Sequence, residues 1–338
     1  MASGSTPKPQ RVSIALATYN GEKYLAEQLA SFLAQTRLPD ELVVGDDDSR
    51  DATQAVLEAF AATAPFPVHV TVNRPGLGPG GNFAATIARC SGDVVFLSDQ
   101  DDIWHPGKIA RMLDFMVGQP DCLVALHDAA LVDGSGHPLG LTMGQQIEAS
   151  GASAAQGLVA GCCMAIDGRL ARFYDPPPAS PTHDAWLTAI ADRFGVRAYL
   201  PEPLIDYRRH GANVSQSYMS GERRASRWRR FGERLTRARA VPAGAALEAA
   251  AASQASALRA VEAHLGVLAA AMPEARLEAG LAALRTALAR TARRSAIHAA
   301  PRRARARLFL QSLRAGDYRG TQGLLSLFRD IADAVRRG

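Results

Sequence analysis

The sequence lacks two features that mark secreted and membrane-spanning proteins. No stretch approaches 18 consecutive apolar residues, and the opening MASGSTPKPQ contains no apolar signal-peptide core. Only four of the 338 residues are cysteines, they form no C-x-x-C pair, and two are adjacent in the apolar run LVAGCCMAI. This usage favours buried free thiols in a reducing compartment over disulfides or a zinc site. We expect a cytoplasmic protein, with attachment to the inner face of the cytoplasmic membrane as an open alternative.

Charge divides the chain into two parts. Residues 1–220 carry 15 lysines and arginines against 24 acidic residues, whereas residues 221–338 carry 23 arginines against 9 acidic residues. Such an asymmetry indicates parts with different partners. We predict a flexible N-terminus over 1–10, a folded domain over 11–220, and an Arg/Ala-rich helical region over 221–338.

The first part alternates between strand and helix patterns. The predicted strands are RVSIALA, ELVVG, VHVTVN and DVVFLS, and the helices between them are NGEKYLAEQLASFLAQ with Asn20 as N-cap, a helix opening at Asp51, FAATIARC, and PGKIARMLDFMV. Later segments predict a strand at GLVAGCCMAI, a helix at HDAWLTAIADRFG, and a strand or strand pair at VRAYLPEPLIDYRRHG. Alternation of this kind predicts an α/β fold with a mostly parallel sheet covered by helices.

Polar residues follow four successive predicted strands. They are TYN at 18–20, DDDS at 46–49, RPGLGPGGN at 74–82 and DQDD at 99–102. In open parallel sheets, ligands bind beyond the carboxyl ends of the strands. Four such clusters therefore predict one site for a nucleotide-type ligand.

The DQDD segment adds a metal hypothesis. Asp99 and Asp101 are two residues apart, so both carboxylates point to the same side of an extended segment. A pair of oxygen ligands suits Mg²⁺ or Mn²⁺, which bind one or two carboxylates together with substrate phosphates and water. The alternative is a solvated acidic turn before the next helix.

Five segments in order resemble the family 2 glycosyltransferases of the GT-A fold. They are VSIALATYNGEKYLAEQLASFLAQT, ELVVGDDDSRDAT, SDQDDIWHPGKI, HDAW and YRRHGANV, and they span about residues 10–218. The resemblance is closest to the rhamnosyltransferase-like branch of bacterial polysaccharide synthesis. It implies an inverting, metal-dependent enzyme that moves a sugar, with rhamnose favoured, from a nucleotide diphosphate to a glycan or lipid-linked glycan acceptor. The donor implied is dTDP-rhamnose, with a UDP-sugar as the alternative, and a non-catalytic sugar-nucleotide-binding or scaffold protein is the alternative function.

The same resemblance assigns the site residues. Asp101 is the main metal ligand, with Asp99 and His210 as further ligands, and Asp184 at the start of a helix is the catalytic base. His183 and Trp186 lie on the acceptor side, although a core position for Trp186 is an equal alternative. The remaining matches are nucleotide-sugar-binding residues: Thr18, Tyr19, Asn20, Asp46, Asp47, Gly80, Gly81, Asn82, Asp99, Asp102 and Arg208. Within this set, Asp46 matches the residue that contacts the base of the donor nucleotide, and Arg208 matches a residue that binds the phosphates.

One position departs from the family pattern. The family reads Asp-Asp-Gly-Ser after the second strand, whereas this chain has Asp48 in place of the glycine. Glycine there supplies a positive φ, which Asp tolerates better than most residues. The substitution puts base or donor selectivity in question.

The C-terminal region has no chemical motif. Its arginine-rich stretches, ERRASRWRRFGERLTRARA and RRSAIHAAPRRARARLFL, are typical of helices on anionic membrane surfaces or of ordinary solvated helix faces. Nucleic-acid contact is the least favoured interpretation, and we expect no nucleic-acid partner. Self-association into a homo-oligomer stays open as a further role.

Overall fold

The computed structural model describes residues 10–173, 182–210, 243–319, 326–327 and 330–331. The strands are β1 (Val12–Thr18), β2 (Glu41–Asp46), β3 (Val68–Val72), β4 (Val94–Ser98), β5 (Ile103–Trp104), β6 (Val124–Val132), β7 (Pro138–Thr142), β8 (Met164–Asp167) and β9 (Arg197–Arg208). The helices are α1 (Leu25–Leu33), α2 (Thr53–Ala61), α3 (Gly78–Ile87), α4 (Lys108–Val117), α5 (Met143–Ala149), α6 (Ala154–Gly157), α7 (Gly168–Phe173), α8 (His183–Phe194), α9 (Ala243–Ala263), α10 (Leu265–Ala269), α11 (Glu274–Ala299) and α12 (Arg302–Arg314).

The chain forms two compact units. The first contains the nine described strands and helices α1 to α8, and the second contains α9, α11 and α12. The predicted boundary between 220 and 221 lies outside the described residues, as do the predicted N-terminal segment 1–9 and the arginine-rich stretch 222–240.

The strands form one mixed sheet in the order β3-β2-β1-β4-β8-β6-β9-β5, with β7 paired to β6. Its first four strands are parallel, as predicted, because helices connect them. β8 runs antiparallel between β4 and β6, and β5 runs antiparallel to β9. The predicted α/β fold with helices flanking the sheet is confirmed, and the second half of the sheet is more antiparallel than predicted.

Helix α1 differs from its prediction at both ends. It begins at Leu25 rather than at Asn20, whose φ of 47° is incompatible with an N-cap conformation. Leu25, Leu29 and Phe32 form the buried face as predicted, but Leu33 is 43 % exposed. The spacing of the apolar residues predicted the position of the helix correctly. The residues before Leu25 form a loop that belongs to the candidate site.

The predicted glycine-rich loop is partly helix. Helix α3 begins at Gly78, with Pro79 in its first turn, so Gly80, Gly81 and Asn82 lie within the helix. Proline with a fixed φ favours a helix start, and this local preference outweighs the low helix propensity of the glycines. A second predicted strand, GLVAGCCMAI, is a strand only from Met164 onward, because a turn of 3₁₀-helix occupies Gly161–Cys163.

Helices form the described part of the second unit, as the alanine-rich sequence predicts. Two buried carboxylates hold them through ion pairs. Asp317 accepts from Arg293 Nε at 2.9 Å, and Asp330 accepts from Arg294 Nε at 2.7 Å. Among the described helices, none combines the length and apolarity needed to cross a membrane. The four cysteines are free and buried, as expected.

Candidate functional site

The loops after β1 and β2 are joined by hydrogen bonds at the carboxyl edge of the sheet. Asn20 N donates to Ser49 Oγ at 2.9 Å, and Arg50 N donates to Asn20 Oδ1 at 2.9 Å. Gly21 N donates to Thr53 Oγ1 at 2.8 Å. The positive φ of Asn20 therefore serves to bring the two loops together, which leaves the side chain of Asn20 engaged in this junction.

Gln100, inside the DQDD segment, connects that segment to the β1 loop. Its Oε1 accepts from Tyr19 N at 2.8 Å, and its Nε2 donates to Tyr19 O at 3.0 Å. A Cβ on Gly21 would lie 2.3 Å from Gln100 Oε1, so a side chain at this position would displace Gln100 from Tyr19. The Tyr19 side chain is 58 % exposed, which leaves its ring accessible at the edge of the site. Gln100 was not among the predicted site residues.

Asp46, the residue predicted to contact the base, is fully buried and accepts hydrogen bonds from its neighbours. Its oxygens accept from Thr18 Oγ1 at 2.9 Å, Ser49 Oγ at 2.5 Å, Ser49 N at 3.1 Å and Gln54 Nε2 at 3.1 Å. A carboxylate occupied by four donors orders the surrounding loop. Thr18 shares this arrangement, because its hydroxyl is used to hold Asp46.

Asp47 holds the start of α3. Its carboxylate accepts from Leu77 N at 2.6 Å and Gly78 N at 2.8 Å, and Asn73 Nδ2 donates to it at 3.2 Å. A carboxylate at a helix N-terminus satisfies free N–H groups and is favoured by the helix dipole. Asp47 therefore supports the loop before α3.

Asn82 and the two glycines of α3 differ in what they can contact. Asn82 is 2 % exposed, donates to Gly45 O at 2.8 Å and accepts from Asn73 Nδ2 at 2.9 Å, so its side chain fastens α3 to β2. A Cβ on Gly81 would lie 2.9 Å from Leu77 Cβ, whereas one on Gly80 would meet nothing within 4 Å. Of these three, only Gly80 borders open space.

Asp48, the residue in the family's glycine position, has a φ of 66°. Its carboxylate pairs with Arg50 at 2.6 Å and with Arg74 at 3.6 Å. The backbone conformation that the family pattern reserves for glycine is thus retained, and the new side chain engages Arg74.

Buried carboxylates surround the end of β4. Burial, and then the neighbouring carboxylates of Asp101 and Asp184, raise the pKa of Asp99 to about 7. Burial together with Asp101 and Asp99 raises the pKa of Asp102 well above its ordinary value. The charge of Asp184, more than 80 positions along the chain, contributes to the raised pKa of Asp99, so the tertiary structure brings Asp184 near the DQDD segment. Like charges crowded in a buried place are typical of sites that bind a cation.

Lys108 lies fully buried beneath this cluster, and sequence analysis missed it. Its Nζ donates to Cys162 O at 2.8 Å and lies 3.6 Å from the centre of the Trp104 ring. Burial lowers the pKa of Lys108 to about 8, against the attraction of neighbouring groups that include Asp102 and Asp99. Lysine is rarely buried without a charged partner. That rule is the signal from which the position of Lys108 next to the carboxylates could have been inferred.

Asp101 and His210 meet across 109 residues of sequence. His210 Nε2 lies 2.7 Å from Asp101 Oδ2, and the His210 ring stacks on Tyr24 with centroids 4.9 Å apart. The two predicted metal ligands are therefore adjacent. Tyr24 fixes the orientation of the imidazole, a role that sequence analysis did not assign.

Arg208 has structural partners in place of the predicted phosphate. It is 3 % exposed, its Nε donates to Asp101 O at 3.0 Å, and its guanidinium pairs with Glu27 of α1. Its backbone N donates to Asp102 Oδ1 at 3.3 Å. Arg208 thus joins β9, α1 and the DQDD segment, and Asp102 holds β9.

The acceptor-side residues are buried around Asp184 at the start of α8. His183 stacks on Phe83 with centroids 3.8 Å apart, and a Cβ on Gly161 would lie 2.3 Å from its Nε2. Burial lowers the pKa of His183 to about 4, so the ring is neutral. Trp186 is 2 % exposed and belongs to the core, the second of its two predicted roles. Asp184 is 8 % exposed and accepts from Ala185 N at 2.8 Å.

The donor set fits a hard divalent cation. Ligand atoms of Asp99, Asp102 and Cys162 lie within 4.8 Å of one another, and Asp102 Oδ2 is buried without a hydrogen-bond partner among the described residues. A hydrogen bond with Cys163, together with burial, raises the pKa of the Cys162 thiol well above its usual value, and a protonated thiol is a poor ligand. The carboxylate oxygens that remain suit Mg²⁺ or Mn²⁺.

Comparisons with known proteins agree with this geometry. Residues 13–154 match the family model of glycosyl transferase family 2. An uncharacterized glycosyltransferase of Nostoc is 31 % identical over 125 residues, which cover 37 % of this chain and 38 % of the relative. The dTDP-rhamnosyl transferase RfbG of Shigella flexneri is 36 % identical over 107 residues, 30 % of this chain and 37 % of the relative. The chain thus spans less than two fifths of the length of either relative.

A solved structure of S. aureus TarS 1–349 in complex with UDP-GlcNAc has a similar fold. Its TM-score is 0.55 at 16 % sequence identity, with 96 % of this chain and 89 % of that chain covered. At this level of identity the likeness concerns the fold.

Proposed function

Because residues 13–154 belong to glycosyltransferase family 2, we propose that the chain transfers a sugar from a nucleotide diphosphate donor to a glycan acceptor with inversion at the anomeric carbon. The observation that carries this proposal is the group of acids at the carboxyl end of β4, where ligand atoms of Asp99 and Asp102 lie within 4.8 Å of each other and the charge of Asp184 acts on Asp99. Acids joined through Gln100 to the backbone of the exposed Tyr19 suit a ligand with a flat base and a charged diphosphate.

Asp184 is the proposed general base. Its carboxylate accepts the proton of the acceptor hydroxyl while the acceptor oxygen bonds to the anomeric carbon. The bond between that carbon and the diphosphate oxygen breaks on the opposite face, and its electron pair leaves with the diphosphate. The buried position of Asp184 excludes bulk water from this step and so disfavours hydrolysis of the donor.

Asp101 and Asp99, with His210 beside them, are the groups proposed to hold a Mn²⁺ or Mg²⁺ ion. The ion would supply positive charge for the leaving diphosphate. Asp102 contributes negative charge on the buried side of the proposed metal ligands. It also keeps β9 in place, because its Oδ1 accepts a hydrogen bond from Arg208 N. The positive charge of Lys108 balances part of the negative charge of Asp99 and Asp102, and Tyr24 keeps the His210 ring against Asp101.

The favoured donor is dTDP-rhamnose, on the partial similarity to the rhamnosyl transferase of Shigella flexneri. A UDP-sugar is the alternative, because a relative from Escherichia coli is named as a UDP-glucose-dependent glucosyltransferase and TarS was solved with UDP-GlcNAc. A lipid-linked glycan as acceptor would agree with a peripheral contact between the arginine-rich second unit and an anionic membrane.

Release of nucleoside diphosphate tests the proposal directly. Full-length protein is incubated with dTDP-rhamnose, UDP-glucose or UDP-GlcNAc, with Mn²⁺ or with a chelator, and with and without a glycan acceptor. We expect metal-dependent release with one donor that increases when acceptor is present. Tight donor binding by calorimetry without release under any of these conditions would support the alternative of a non-catalytic sugar-nucleotide-binding protein.

A further inference from the structure

Helix α12 presents a row of arginines without partners. Arg303, Arg307 and Arg314 are exposed and form no ion pair or hydrogen bond within the described part of the chain. At about 100° per residue, these three positions and Leu310 fall within an arc of about 60°. The helix contains no Asp or Glu, so no acid within the helix offsets this charge.

The opposite side of α12 fixes which face points outward. Ser312 is fully buried and donates to Asp317 Oδ2 at 2.5 Å, and Phe309 packs against Tyr318 with ring centroids 5.8 Å apart. Arg305, on that same side, donates to Ala300 O at 3.0 Å. The arginine row therefore lies on the face turned away from these contacts.

Apolar side chains accompany the arginine row. Leu310, which lies between Arg307 and Arg314, is 52 % exposed, and the neighbouring Leu313 is 40 % exposed. A helix face with exposed leucines among unpaired arginines and without any acid differs from an ordinary solvated face, which mixes acidic and basic side chains. Together they make a surface that is cationic along its length and apolar at its C-terminal half.

We propose that this face of α12, defined by Arg303, Arg307, Leu310 and Arg314 and flanked by Leu313, binds the surface of an anionic lipid bilayer. A bilayer interface presents phosphates to the arginines and, a few ångströms deeper, acyl chains to the leucines. The phosphate backbone of a nucleic acid offers no apolar surface for Leu310, and the face has no aromatic side chain on which a base would stack. The inference extends the membrane contact of the proposed function and gives it a location.

The experiment is flotation of the full-length protein with vesicles of phosphatidylcholine containing phosphatidylglycerol, and with phosphatidylcholine alone. We expect binding to the anionic vesicles that weakens as salt increases. Each arginine near such a surface contributes roughly fivefold, so the triple variant R303Q/R307Q/R314Q should bind on the order of 100-fold more weakly. The variant R303K/R307K/R314K should bind like the original protein, because an anionic lipid surface attracts the positive charge of lysine as it attracts that of arginine.

A matched control removes the same charge from elsewhere in the unit. Arg259, Arg276 and Arg285 lie on α9 and α11, and the variant R259Q/R276Q/R285Q should keep most of the binding. A further variant, Leu310→Ser, should lose roughly tenfold, because a partly inserted leucine contributes through burial of its apolar surface. Circular dichroism checks that every variant retains its helices.

Three results would overturn the proposal: equal binding to neutral and anionic vesicles, equal losses in the R303Q/R307Q/R314Q variant and the control, or binding of nucleic acid in place of vesicles. Nucleoside diphosphate release is measured on the same variants. Loss of vesicle binding with unchanged nucleoside diphosphate release supports the proposal. If neither the original protein nor any variant releases nucleoside diphosphate, the proposed transfer reaction is rejected and the vesicle result is unaffected.

Discussion

The carboxylates of the DQDD segment in the first unit and those of Asp317 and Asp330 in the second unit have opposite surroundings. In the second unit, burial opposes ionisation of Asp317 and Asp330, but hydrogen bonds from Arg293 and Ser312, and from His298 and Arg294, hold the pKa of each carboxyl below its usual range. In the first unit, burial and neighbouring acids raise the pKa of Asp99 to about 7.

The difference separates acids that stabilise a fold from the acids that we propose bind a cation. An acid with cationic partners holds helices together, and removing it leaves those cations uncompensated. Acids crowded against one another lower stability and persist where a cation or substrate uses them. The contrast can be tested by removing members of each group.

The largest effect is expected at Asp101. Asp101→Ala should reduce sugar transfer by about 10⁴-fold, because a charge clamp on a leaving group contributes several kcal/mol to the transition state. Calorimetry should also show loss of Mn²⁺-assisted donor binding with an unchanged fold. Asp114→Ala removes an exposed carboxylate of α4 and should have no effect. Unchanged metal-assisted donor affinity in Asp101→Ala would contradict the proposed role.

Asp184 should matter for turnover and little for donor binding. Asp184→Asn keeps the shape of the side chain but cannot accept the acceptor proton, and we expect kcat to fall by about 10²–10⁴-fold. The control is Asp192→Asn on the same helix, where the side chain is 55 % exposed and pairs with Arg197 at the surface. If Asp184→Asn keeps normal turnover, Asp184 acts only in the local structure of α8 and the base is another residue.

Removal of a partnered acid should destabilise the second unit. Asp330→Asn leaves Arg294 and His298 without a buried counter-charge, and we expect the local free energy of unfolding to fall by about 3–5 kcal/mol. Hydrogen exchange of α11 measures the change, with the exposed Glu278→Gln as control.

Acidification sharpens the same test. Because folding lowers the pKa of Asp330, its contribution is present above the unfolded-state value near 3.8 and is lost as pH falls through the lower folded-state value. The difference between Asp330→Asn and the original protein should therefore shrink at low pH. A difference that stays constant at every pH would contradict the ion-pair explanation.

The smallest expected change in stability is that of Asp99→Asn, and it has the opposite sign to the change expected for Asp330→Asn. Asp99→Asn removes one of several mutually repelling buried carboxylates, so we expect stability to stay equal or rise by about 1–2 kcal/mol while transfer is lost. Thermal unfolding and nucleoside diphosphate release are measured on the same preparation. A large loss of stability would show that Asp99 is an ordinary structural acid.

The sequence by itself determined the order of strands and helices and the places where polar residues follow strands. Parallel strands joined by helices bring their carboxyl ends to one edge, so the clusters at 18–20, 46–49 and 99–102 were predicted to meet. The helix beginning at His183 and the helices after 243 also followed from local pattern and propensity.

Only the tertiary structure decided which side chain serves which purpose. Asp46 and Asp47 are adjacent in sequence, yet one is enclosed by four donors and the other holds the start of α3. The pairing of Asp101 with His210 and of Arg208 with Glu27 joins residues more than 100 positions apart. Sequence spacing sets the direction of a side chain within one element, whereas its partners depend on elements that meet only after packing, and for buried charges those partners decide the role.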